Sequence, residues 1–64
     1  MRWTDITDIA IELEEAHPGA DNINLRFTDL MGWVLDIPGF DDDPKKCNEK
    51  ILEAIQQAWI DERD

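Results

Sequence analysis

One run, Phe40–Ile60 (FDDDPKKCNEKILEAIQQAWI), constrains this chain more than any other. It reads as an acidic turn that launches the longest helix. Asp43 suits the N-cap, because its carboxylate accepts bonds from the free N–H groups of a first helical turn. Pro44 falls at the first helical position, where its missing N–H costs nothing and its fixed φ already fits. Cys47, Ile51, Leu52, Ile55, Ala58 and Trp59 follow at helical spacing and form one apolar stripe. Glu49, Lys50, Glu53, Gln56 and Gln57 fall elsewhere on the wheel. An apolar stripe has to be covered, and the rest of the chain reads as two shorter helices packed on this one. The expectation is an all-α, three-helix domain covering residues 1–64, with helices at about 5–16, 29–36 and 44–62.

The first helix is expected over Asp5–Ala16, with Thr4 as N-cap and with Asp5 and Asp8 in the first turn, where the helix dipole favours negative charge. Ile6, Ile9, Ala10, Leu13 and Ala16 recur at three and four and define its buried face. Trp3 precedes the cap and is read as a hydrophobic lid. His17-Pro18-Gly19 ends the helix, since a residue before proline avoids the α region. Asp21-Asn22 marks a turn. Asn24–Phe27 alternates polar and apolar, which allows at most a very short β pairing with the backbone near Trp3. The second helix is expected from Asp29 to Asp36, capped by Thr28. Its apolar residues Leu30, Met31, Trp33, Val34 and Ile37 occupy more than one face, so it is buried on two sides. Pro38-Gly39 stops it, and Phe40 returns to the core. Arg26, with Asp29 nearby, is expected to form an ion pair or a helix-terminus contact that orders the connector.

A chain of 64 residues buries only about 60% of its unfolded surface, so its core needs large side chains. Three Trp and two Phe supply them, and each buried indole N–H needs an acceptor. Six Lys and Arg against sixteen Asp and Glu leave a formal net charge of −10. Such a field repels nucleic-acid phosphates and anionic membranes and attracts basic proteins and cations. The plain alternative is that the charge merely keeps a small domain soluble. One cysteine forms no internal disulfide, and no run approaches the ~20 apolar residues of a membrane helix. Neither secretion nor membrane insertion is indicated, and a reduced cytoplasmic setting is expected.

Catalysis has little support. The chain contains no serine, no glycine-rich phosphate loop and no CxxC. Cys47 lies on the apolar stripe beside aspartates that raise its pKa, so it reads as a small, partly buried side chain. His17 is a lone histidine at a helix end, without a base or ligand set around it. The acidic turn fails as an EF-hand. Counting from Asp42 puts Glu53 at position twelve as required, but Pro44, Lys46 and Cys47 occupy positions three, five and six. Asp41, Asp42 and Asp43 remain candidates for weak binding of a hard cation such as iron. They are equally candidates for an acidic patch that meets a basic partner. Lys46 with Glu49, and Lys50 with Glu53, read as solvated ion pairs.

Taken together, Arg26-Phe27-Thr28-Asp29, Trp33 with Asp36, the turn Phe40–Pro44, Asn48–Ile55, and Trp59 with Asp61-Glu62 resemble the IscX family. Its members are small acidic proteins encoded with bacterial iron–sulfur cluster assembly machinery. The similarity covers nearly the whole chain. It implies a compact helical fold with a winged-helix or helix-turn-helix likeness, and a non-enzymatic adaptor; a monomer is expected. It further implies binding to a cysteine desulfurase at a basic site shared with a frataxin-type protein, and weak iron binding through carboxylates. The residues this points to are Asp29, Asp36, Asp41, Asp42, Asp43, Glu49 and Glu53, with Asp8, Glu12 and Glu15 as possible helpers. Alternatives are an iron donor or sensor and a nucleic-acid-mimicking or transcription-related module. The net charge of −10 argues against nucleic-acid binding.

Overall fold

The computed structural model describes residues 1–64. It contains α1 (Ile6–Ala16), α2 (Phe27–Leu35), a short 3₁₀ turn (Pro44–Lys46) and α3 (Glu49–Arg63), with no strand. The helices pack around one cluster formed by Trp3, Ile9, Ala10, Leu13, Leu30, Val34, Ile37, Leu52, Ile55 and Trp59. α1 packs chiefly on α3, and α2 closes the remaining side. The expected stripes account for most of this core. Ala16, placed on the α1 stripe, is exposed in the last turn.

The helix starts differ from expectation, each for a local reason. Asp5, not Thr4, is the N-cap of α1, and its side chain makes no capping bond there. That carboxylate instead accepts from the Arg2 N–H at 2.8 Å. α2 begins two residues early, at Phe27, with extended Arg26 (φ −81°, ψ 144°) as N-cap, so Thr28 lies inside the helix. The early start draws Phe27 into partial burial against the core. It also removes the β pairing considered for Asn24–Phe27.

The largest departure is in the organising stretch. Asp43 does cap Pro44, accepting from the Lys45 N–H at 2.9 Å, but the result is a single 3₁₀ turn. Cys47 (φ −73°, ψ 145°) and Asn48 (φ −147°, ψ 174°) are extended, and the chain restarts as α3 with a second cap. Asn48 Oδ1 accepts from the Ile51 N–H at 2.9 Å. Asp and Asn both favour N-caps over helix interiors, and a double cap signal divides what the stripe alone reads as one helix. Cys47 therefore sits in the break, half-buried.

Trp3 is not a lid. It is 1% exposed and lies within the core. The first three residues run along Gly39–Asp43, with the Asp41 N–H donating to the Met1 carbonyl at 2.8 Å. The backbone near Trp3 thus finds its partner in the acidic turn and not in the α1–α2 connector. Gly39 is what brings the turn back. The Phe40 N–H donates to the Ile37 carbonyl at 3.0 Å across Pro38-Gly39, and Gly39 has φ +89°. Proline at the first central position and a left-handed glycine at the second make a type II turn.

Candidate protein-docking site

The three aspartates of the acidic turn have different surroundings. Asp42 faces inward, with a side chain only 11% exposed. Its Oδ2 accepts from the Trp3 N–H at 3.1 Å and its Oδ1 from the Asp43 N–H at 2.7 Å. These two backbone bonds, in that order, hold its carboxyl below the usual aspartate range, and the Lys46 ammonium at 3.9 Å assists. Asp43 is exposed, yet it caps the 3₁₀ turn and lends its carbonyl to the Trp3 indole N–H at 2.8 Å. Asp41 is exposed, and its carboxylate takes part in none of the hydrogen bonds or ion pairs of the structure. The run therefore supplies one uncommitted carboxylate, one capping residue that is partly free, and one structural carboxylate.

The other expected contact residues lie apart. Asp29 and Asp36 stand near opposite ends of α2, and Glu49 and Glu53 lie one turn apart on α3. All four are exposed, and none is held in an ion pair. Nowhere do three or more His, Cys, Asp or Glu side chains come together in an arrangement able to hold a metal ion. Asp41, Asp42 and Asp43 are accordingly not a preformed cage. The expected ion pairs are also replaced. Arg26 is exposed and forms none, and Lys46 meets Asp42 because the break after the 3₁₀ turn carries it away from Glu49. Lys50 and Glu53 are both exposed and form no ion pair.

The opposite end of the molecule holds a cluster that the sequence reading did not identify. The Trp59 indole N–H donates to Glu14 Oε1 at 2.9 Å, and Arg63 Nε donates to the same oxygen at 2.9 Å. The Trp59 bond is the larger cause that keeps the Glu14 carboxyl below its ordinary value, and Arg63 adds to it. Arg63 also donates to the Ala20 and His17 carbonyls, so α3 clamps the connector after α1. The connector is tightened further by Asp21, which accepts from the Ile23 and Asn24 N–H groups at 3.0 Å each. His17 stacks on Trp33 with ring centroids 4.2 Å apart and planes at 16°. Two clues to this cluster were present: a buried Trp59 requires an acceptor, and α1 places acids one turn from its end. Which acid would reach across was not legible.

The structure thus defines a small helical body that carries exposed, unneutralised carboxylates on all three helices. The family model for iron–sulphur cluster assembly matches residues 1–64. An uncharacterised protein of Pseudomonas aeruginosa is 52% identical over 64 residues, which span 100% of this chain and 97% of that relative. The chain belongs to the iron–sulphur cluster assembly family. No helix in it is long and apolar enough to cross a membrane.

Proposed function

We propose that this chain is an IscX-type acidic adaptor that regulates iron–sulfur cluster assembly in the cytoplasm by binding a cysteine desulfurase, without catalysing a reaction itself. The observation that carries the proposal is the uncommitted state of Asp29, Asp36, Asp41, Glu49 and Glu53. All five are exposed and unpaired on a chain whose net charge is −10. Carboxylates already neutralised inside the fold would offer a cationic surface little; these retain their full field. A frataxin-type protein, as an acidic competitor for one basic site, fits the same logic. In this reading Asp42 serves the fold and Asp41 serves the partner.

Iron enters as a weakly held ion on exposed carboxylates such as Asp41 and Asp43. Hard cations accept such oxygen ligands, but high affinity requires several ligands converging on one point. The test is a titration with the desulfurase at rising ionic strength. Affinity should fall steeply with salt, and Asp41→Asn together with Asp36→Asn should weaken it further without loss of helix. Binding indifferent to salt, or a tight stoichiometric ferrous site found by calorimetry, would replace the adaptor with another reading.

A further inference from the structure

A groove of about 360 Å³ opens between the start of α1 and the first turns of α3. Trp3 and Ile6 line it with Ile51 and Ala54, and Asn48 and Lys50 supply polar lining. We propose that this groove seats the apolar side chain of a partner segment that is cationic on either side of that side chain. The inference rests on the adaptor reading in taking the partner to be basic, and it adds where that partner is gripped.

Three observations support it. First, the groove is preformed. Trp3 is buried and held by both its backbone and indole N–H groups, and Ile51 is pinned through its N–H by Asn48. A wall already rigid spares the complex the ordering cost that a mobile patch incurs. Second, the volume lies in the lower part of the usual pocket range of about 300–1,000 Å³, enough for aliphatic side chains but small for a folded element. Third, the charges around it select the occupant. Asp5 lies at the start of α1 beside Ile6, Asp43 adjoins the Trp3 indole, and Glu49 and Glu53 neighbour Lys50 and Ala54 along α3. Lys46, close by in sequence, is drawn to Asp42. A purely apolar segment would leave Glu49 and Glu53, which form no ion pair, unanswered, and a second copy of a −10 chain would be repelled. Lys50 is the one cation of the lining; its stem can serve as wall while its ammonium meets backbone carbonyls of the segment. The acidic turn then acts on binding indirectly, by holding the Trp3 wall through Asp42.

The test uses the 15N-labelled chain and two peptides of equal charge, acetyl-Lys-Arg-Leu-Leu-Arg-Lys-amide and acetyl-Lys-Arg-Ser-Ser-Arg-Lys-amide. Both should perturb amides near exposed carboxylates at low salt. Only the leucine peptide should shift the Trp3 indole N–H with the amides of Thr4, Ile51 and Ala54, and it should bind roughly tenfold more tightly. Ala54→Leu fills the groove from an exposed helical position with little helix penalty, and should abolish that difference. Equal shifts from the two peptides, or an unchanged leucine preference in Ala54→Leu, would overturn the proposal. So would desulfurase binding that Ala54→Leu leaves untouched. A wild-type chain that admits the leucine peptide yet ignores the desulfurase would instead sink the desulfurase reading and leave the groove standing.

Discussion

Asp42 and Trp3, 39 residues apart in sequence, are joined by a hydrogen bond from the tryptophan N–H to the aspartate Oδ2 at 3.1 Å. The same carboxylate takes the Asp43 N–H at 2.7 Å, so one side chain satisfies two backbone donors and fastens the N-terminal segment to the turn before α3. Such a residue is replaced at greater cost than its place in a run of aspartates suggests. Asp42→Asn retains one acceptor and turns an NH₂ group toward the second donor. The expected result is a lower urea midpoint with an unchanged slope, followed by tryptophan fluorescence, while Asp41→Asn leaves the midpoint where it was. Equal effects of the two substitutions would contradict this division.

Acid should weaken the fold through three carboxylates. Asp42, Glu14 and Asp21 are all held below their ordinary values, chiefly by the Trp3 N–H, the Trp59 indole and the Asn24 N–H respectively. A lowered folded-state pKa stabilises above the unfolded value, about 3.9 for Asp and 4.3 for Glu, and that contribution is lost as pH falls through the lowered value. Stability should therefore hold level from neutrality to about pH 5 and drop below about pH 4. Urea titrations across that window check it, and Glu14→Gln should flatten part of the fall.

Arg63 clamps two elements through its fork. Arg63→Ala should cost about 1–2 kcal/mol, because bonds to Glu14 and to two loop carbonyls are lost together. Arg63→Lys should recover little, since a single ammonium does not reproduce the fork. Hydrogen exchange of the Asp21–Asn24 amides should accelerate in both variants, and protection equal to wild type would argue against the clamp.

Cys47 should prove a poor nucleophile. Burial pushes its thiol up from the ordinary value. Alkylation by iodoacetamide at neutral pH is expected to run slower than for free cysteine and to speed up in urea, where the thiol becomes accessible. Rapid alkylation of the native chain would show that burial does not govern this thiol.

The apolar periodicities of α1 and α3 were legible because burial repeats every three to four residues, and Ile9, Leu13, Leu52, Ile55 and Trp59 all fall where that repeat puts them. The start of α2 was not, because Thr28 and Asp29 carry cap chemistry that burial of Phe27 outweighs. The break at Cys47-Asn48 was obscured by a stripe that runs through it without interruption, although Asn48 with an N–H three residues on is a cap in its own right. The acids were readable as a total but not one by one. Charge adds along a sequence, whereas the roles of Asp41 and Asp42 depend on the direction in which each carboxylate points. The groove beside Trp3 needs two segments more than 40 residues apart, and no local pattern reports that.

The dominant contact between the first helix and the last has a consequence during synthesis. A chain emerging N-terminus first presents Ile9 and Leu13 to the surroundings long before Leu52, Ile55 and Trp59 exist to cover them. Closure across so long a separation comes late, so α1 and α3 join as one unit rather than by stages. The surplus of negative charge, whatever it does for a partner, keeps those uncovered nascent segments from adhering to one another in the interval.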